Sequence, residues 1–151
     1  MVGLLDSDSE EPKSKARRYG ITGLAFVLLV TAGVWYLVRF YPEKKAAEHF
    51  FNALVAGDTQ LAYQIWKPQG SSYSYTDFLD DWGPSGYYGP IKSYRIESAQ
   101  APARGGSGVI VVAEVSPFQP FPAGDDVTQN RRTKEVRIWV ETKDKSLSFP
   151  P

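Results

Sequence analysis

Hydrophobic and polar positions divide the chain into three stretches. From Tyr19 to Val38 there are 20 consecutive residues without a charged side chain, and most of them are apolar. A helix of that length spans roughly 30 Å, the thickness of the hydrocarbon core of a bilayer. The pattern therefore predicts a transmembrane helix over residues 19–41, with a tail over residues 1–18 before it and a folded domain over residues 43–151 after it.

The residues at the ends of this stretch favour a membrane anchor. Tyr19 lies at one end and Trp35 and Tyr36 lie near the other, as aromatic rings do at the level of the lipid headgroups. Arg39 follows them, and its long side chain can reach the lipid phosphates. Because bulky rings stand where a signal peptidase needs small residues, the sequence favours a retained signal anchor over a cleaved signal peptide. Membrane lipid is one expected partner.

Charges on the two sides of the span indicate its orientation. The tail is acidic at first, then basic, and has few apolar residues, so we expect it to be disordered. Basic residues favour the cytoplasmic side of a membrane, and four precede the span while three follow it. The prediction is a single-pass protein with a disordered cytoplasmic tail, its N-terminus inside and its C-terminal domain extracytoplasmic. The basic residues are Lys13, Lys15, Arg17 and Arg18 before the span, and Arg39, Lys44 and Lys45 after it.

Helical periodicity comes first in the domain, and strand alternation comes later. Residues 43–56 repeat apolar side chains at helical spacing, with Glu43 on the polar part of the circumference. Asp58 suits the N-cap of a second helix and Thr76 that of a short third one. Residues after 93 alternate with a period of two in about four segments. This order predicts an α+β fold, with two or three helices packed on an antiparallel sheet of about four strands.

The element order resembles that of a known superfamily. This order of elements resembles the nuclear transport factor 2-like superfamily, the cystatin-like cone. The resemblance also includes Gly57-Asp58 and the Ala62-Tyr63 pair inside the second predicted helix. Within it, the chain is most similar to membrane-anchored bacterial domains of unknown function, over residues 43–149. The resemblance implies a curved sheet wrapped around the first helix of the domain, and a place in a bacterial inner (cytoplasmic) membrane. It implies little about activity, because one fold serves many functions.

Candidate catalytic residues come from this resemblance. Enzymes of the superfamily place Asp, His and Tyr inside the cone, and the side chains that could form such a pocket here are Tyr63, Asp77 and Tyr87. A carboxylate beside a tyrosine in an apolar pocket can transfer protons. Acidic residues around a short helix are usually solvated, however, so the sequence favours a protein that is not an enzyme.

Composition argues against several classes of ligand. There is no cysteine and His49 is the only histidine, so we expect no metal site, and no motif indicates a cofactor. Residues 43–151 carry 12 basic against 13 acidic side chains without a basic stripe, which argues against nucleic acid as a partner.

A proline-rich segment stands out within the strand region. The segment Ser116–Pro122 contains three prolines and two phenylalanines, and proline cannot donate to a sheet. It predicts an extended arm, on which Phe118, Pro120 and Phe121 are the candidate contacts to a partner. The alternative is that both rings fold back onto the domain.

Two function classes follow from these observations. The first is a non-catalytic interaction or assembly protein of a membrane or periplasmic complex, whose partners are other proteins or a second copy of the chain. The second is a small-molecule-binding or enzymatic cone that uses Asp and Tyr in its pocket. A cone filled by its own side chains would favour the first, and an empty pocket with inward Asp or Tyr would favour the second.

Overall fold

A computed structural model describes residues 11–67 and 70–151, with side chains from Lys15 onward. The chain divides into two compact units, Met1–Arg39 and Phe40–Pro151. The first contains the helix α1, Glu11–Val38. Its most apolar 18-residue window has a mean hydropathy of 2.1, and none of that window is buried. This helix near the N-terminus is therefore long and apolar enough to cross a membrane.

The start of α1 differs from the sequence prediction. Residues 11–18 were expected to be disordered, but they form the first turns of the helix. Extending an existing helix adds one hydrogen bond for each residue fixed, and Lys, Arg and Ala in this stretch are good helix formers. The structure thus describes a helix at residues 11–18 where the sequence predicted a disordered tail, and residues 1–10 lie outside the described part of the chain. The helix also ends at Val38, earlier than the predicted boundary at 41.

Three helices open the second unit. They are α2, Tyr41–Val55; α3, Thr59–Trp66; and α4, Tyr75–Trp82. Gly57 has a φ of 77°, a backbone conformation that favours glycine after a helix end. Asp58 caps α3 as predicted, because its carboxylate accepts a hydrogen bond from the Leu61 amide at 2.9 Å. The cap of α4 is Ser74, two residues before the predicted Thr76.

Four antiparallel strands follow in a curved, unclosed sheet of order β1-β2-β3-β4. The strands are β1, Ser93–Gln100; β2, Gly108–Ser116; β3, Lys134–Glu141; and β4, Leu147–Ser148. A short helix, α5, Val127–Asn130, lies between β2 and β3 and was not predicted. The α+β prediction with an antiparallel sheet is confirmed. The last strand is shorter than predicted and ends before Phe149. The residue after Phe149 is Pro150, which has no amide hydrogen to donate to the sheet.

Aromatic side chains fill the space between the helices and the concave face of the sheet. Phe50 of α2 lies 5.0 Å from both Trp66 and Trp82, measured between ring centroids. These rings and that of Phe78 are at most 2% exposed. The sheet contributes the alternate residues of β2 and β3 that the period-two pattern assigned to one face. Those buried residues are Val109, Val111, Ala113, Val115, Val136, Ile138 and Val140.

One charged residue lies in this interior against expectation. Glu43, predicted on the polar side of the first domain helix, is only 3% exposed. Its Oε1 accepts a hydrogen bond from Lys145 Nζ at 2.9 Å, and Lys145 belongs to the β3–β4 turn. Among the described residues, Oε2 of Glu43 has no hydrogen-bond partner. The polar assignment was wrong because helical periodicity cannot anticipate a partner 102 residues further along the chain.

Candidate functional site

The predicted anchor residues lie at the C-terminal end of α1 and near its start. Tyr19, Trp35 and Tyr36 are 77%, 62% and 65% exposed. The guanidinium carbon of Arg39 lies 4.8 Å from the ring centroid of Tyr36 and 5.6 Å from that of Trp35. A cation over aromatic rings near the end of an apolar helix is the arrangement expected at a membrane–water interface.

The hydroxyl groups inside the apolar stretch are satisfied by the helix itself. Thr22 Oγ1 donates to the carbonyl of Arg18 at 2.9 Å, and Thr31 Oγ1 donates to that of Val27 at 2.8 Å. An unsatisfied polar group costs several kcal/mol in hydrocarbon. These bonds therefore make both threonines compatible with lipid.

The three candidate pocket residues do not come together. Asp77 is exposed and serves the start of α4, where its Oδ2 accepts hydrogen bonds from the amide and the hydroxyl of Ser74, at 2.9 and 2.7 Å. These bonds lower the pKa of the Asp77 carboxyl, so it stays ionised. Tyr63 donates its hydroxyl to the carbonyl of Tyr73 at 3.0 Å. Tyr87 is 65% exposed and lies under the ammonium of Lys134.

A different carboxylate–tyrosine pair occurs nearby. Tyr73 donates its hydroxyl to Oδ2 of Asp81 at 2.6 Å. Burial, followed by this hydrogen bond, raises the pKa of the Tyr73 phenol above its ordinary value. The phenol therefore remains a hydrogen-bond donor at neutral pH. This hydrogen bond joins the segment before α4 to the helix.

Of two recesses in the described domain, the larger lies on the outer surface, and the smaller borders interior residues that include Leu54, Trp82 and Ile91. The larger one, about 720 Å³, is a groove between the proline-rich arm and the loop that leads into α5. A smaller recess of about 100 Å³ lies beside Leu54 and Trp82. The lining of the larger groove, which we name the arm groove, consists of Phe118, Gln119, Pro120, Phe121, Pro122, Ala123, Asp125, Asp126, Val127, Thr128 and Gln129.

The arm folds back onto the domain instead of projecting from it. Phe118 and Phe121 are half-buried, Pro122 is buried and Pro120 remains exposed. The guanidinium of Arg95 lies 4.7 Å from the Phe121 ring centroid. Arg95 belongs to the face of β1 that points away from the helices, where it pairs with Glu114 of β2. The arm therefore extends the outer side of the sheet.

The remainder of the outer sheet face combines charge pairs with apolar side chains, which include Ile110 and Val112 of β2 beside Trp139 of β3. Arg95 Nη2 lies 2.8 Å from Glu114 Oε2, and Arg137 Nε lies 3.0 Å from Glu135 Oε1. The ring of Trp139 covers Gly108, where a Cβ atom would lie only 2.3 Å from it. This face therefore carries both charged and apolar side chains.

The described residues offer no site for a metal. No group of three His, Cys, Asp or Glu side chains in that part of the chain is placed to hold an ion. His49 is exposed on α2.

Comparisons with known proteins identify no relative. No protein-family model, no curated protein and no solved structure matches this chain. Function must therefore be argued from the residues themselves.

Proposed function

We propose that this chain is a single-pass, membrane-anchored, non-catalytic protein that binds or assembles other proteins of a membrane complex. The observation that carries the proposal is the filled interior of the domain. The rings of Phe50, Trp66, Phe78 and Trp82 occupy the space in which an enzyme or carrier of similar layout would hold its ligand. The sizeable recess lies on the outer surface, where a macromolecular partner can reach it.

The alternative of a ligand-binding cone has weaker support. Pockets for small molecules have volumes of about 300–1,000 Å³ and enclose most of the ligand. The recess beside Leu54 and Trp82, at about 100 Å³, falls below that range. The arm groove reaches the range but is largely open to solvent. A surface groove of this kind suits a segment of another protein better than a buried substrate.

The membrane and its orientation are part of the proposal. The length and hydropathy of α1, with its aromatic and arginine residues at the ends, support a retained anchor. The excess of basic residues before the span supports an N-terminus in the cytoplasm. We place the protein in a bacterial inner membrane with its domain outside the cytoplasm, and we assign the domain to the nuclear transport factor 2-like superfamily. The succession of three helices and a four-stranded antiparallel meander supports that assignment.

The decisive experiment is recovery of the intact protein from its membrane after chemical crosslinking. The protein is extracted in mild detergent, and the crosslinked proteins are identified by mass spectrometry. A chimaera with residues 19–38 replaced by an unrelated apolar span is the matched control. We expect a stoichiometric partner that the chimaera also recovers, because the domain makes the contact. Recovery of the uncrosslinked chain alone from both samples would contradict the proposal and turn attention to small-molecule ligands.

A further inference from the structure

The arm groove has a charge that indicates its occupant. Its lining contains two ionisable side chains, those of Asp125 and Asp126, and no basic one. Asp126 is engaged in the fold, because its Oδ1 accepts a hydrogen bond from the Gln129 amide at 3.0 Å and so caps α5. Asp125 is exposed, and no hydrogen bond or ion pair joins its side chain to any described residue. One free carboxylate therefore stands at the edge of a partly apolar groove.

Both walls of the groove are held in place before any partner binds. On the arm side, Ser93 Oγ donates to the carbonyl of Phe118 at 2.6 Å, and the Phe118 amide donates to Ser116 Oγ at 3.2 Å. On the opposite side, Asn130 Nδ2 donates to the carbonyls of Ala123 and Gly124, each at 3.1 Å. A groove that is already ordered loses less conformational entropy on binding than a mobile loop does.

Nearby arginines support the aromatic wall from outside the groove. The guanidinium of Arg132 lies 5.3 Å from the ring centroid of Phe118, and that of Arg95 lies 4.7 Å from the ring centroid of Phe121. Neither arginine is part of the lining. Asp125 and Asp126 are therefore the ionisable side chains that a partner in the groove would contact directly.

This combination of an aromatic wall and a free carboxylate matches one class of partner. Extended proline-containing segments bind grooves lined by aromatic rings, since a polyproline helix is stiff and loses little entropy on docking. The carboxylate adds a preference for a positive charge beside the prolines. We propose that the arm groove binds an extended, proline-containing peptide segment of a partner protein, with a Lys or Arg of that segment paired to Asp125. This inference rests on the proposed function and names the partner chemistry for its contact surface.

A peptide library tests the inference on the full chain in detergent micelles. The probe is a displayed library with a fixed proline-rich core and randomised flanking positions. We expect the wild-type chain to enrich Lys and Arg at a flanking position. Asp125→Lys should abolish this enrichment. It should also weaken the binding of an enriched synthetic peptide by about tenfold, because an exposed ion pair is replaced by a repulsion. The same variant should bind better to the peptide whose basic residue is replaced by Glu.

Asp80→Lys is the matched control, because Asp80 is exposed, lies outside the groove and gives the same change in net charge. The inference is overturned if the wild type enriches no basic residue at the flanking positions, or if Asp125→Lys and Asp80→Lys weaken peptide binding equally. It is also overturned if Asp125→Lys leaves the enrichment unchanged. If crosslinking recovers a partner that Asp125→Lys retains fully, the interaction function stands and the groove assignment falls. Loss of self-association in Asp125→Lys, without peptide binding by the wild type, would instead assign the groove to a second copy of the chain.

Discussion

The contribution of the buried ion pair between Glu43 and Lys145 to stability can be measured by substituting one partner or both. The pair links the first turn of α2 to the β3–β4 turn, with Oε1 of Glu43 at 2.9 Å from Lys145 Nζ. Substituting Lys145, whose backbone has a φ of 58°, by Met keeps an unbranched side chain that is only one atom shorter, but removes the charge. The carboxylate of Glu43 would then be buried with neither oxygen paired to a described residue.

The magnitude follows from the exposure of the two side chains. Breaking a buried ion pair by removing one partner costs about 3–5 kcal/mol. The Glu43 side chain is 4% exposed but that of Lys145 is 35% exposed, so water already screens part of the interaction. We therefore expect Lys145→Met to lower the free energy of unfolding by about 2–3 kcal/mol. The double variant Glu43→Leu with Lys145→Met should lie within about 1 kcal/mol of the wild type, because an apolar pair needs no compensation.

Urea unfolding of residues 40–151 measures these differences, with tryptophan fluorescence as the signal. Trp66 and Trp82 are each 2% exposed and report on the same interior. Lys143→Met is the matched control, since Lys143 is exposed in the same turn and makes no ion pair with a described residue. Equal losses of unfolding free energy in Lys145→Met and Lys143→Met would refute the reasoning. A double variant as unstable as Lys145→Met alone would refute it too.

Three further outcomes are expected from the same structure. Gly108→Ala should destabilise the domain by about 1–3 kcal/mol, because its Cβ would lie 2.3 Å from the Trp139 ring. As a control in the same urea assay, Gly124→Ala should change the free energy of unfolding little, because its Cβ would meet no atom within 4 Å. In an alkaline absorbance titration, Tyr73 should ionise after the exposed tyrosines, and Asp81→Asn should lower its pKa. Because the folded-state pKa is raised, the Tyr73 hydrogen bond contributes in full below pH of about 10 and its contribution is lost as the pH rises above that value. Residues 40–151 without α1 should be soluble and unfold in one cooperative transition, and an aggregated product would contradict their independence.

Local patterns were sufficient to predict the larger helices of the domain, the strands and the faces of the sheet, but not the short helix α5. Successive side chains on a strand point to opposite faces, so the alternation around Val111 and Ile138 assigns each residue to a face from the sequence alone. Asp58 could be assigned as a cap because a capping carboxylate acts within three residues of its own position. The cap of α4 was misplaced, although Ser74 and Asp77 carry the spacing of a capping box, in which the two side chains bond each other's backbone amides.

Long-range pairing was not predictable from these patterns. Glu43 pairs with Lys145, which lies 102 residues further along the chain, and the spacing of hydrophobic residues contains no information about such a pairing. Tyr73 and Asp81 are separated by most of α4, and only the folded helix brings their oxygens to 2.6 Å. The prolines of the arm predicted an interruption of the sheet but not the direction of the chain after it. That direction depends on contacts such as the one between Phe121 and Arg95 on another strand.

The order of the strands in the sheet has a consequence for how the domain is made. Each strand pairs with the one that precedes it in the chain, so the sheet can grow by hairpins as synthesis proceeds, without waiting for a distant segment. The helices that cover the sheet, however, are synthesised first. Until β2 and β3 exist, the buried side of α2, with Ala47, Phe50, Phe51 and Leu54, has no sheet to pack against. The time between the synthesis of α2 and that of β3 is therefore the interval in which the nascent domain is most prone to aggregation.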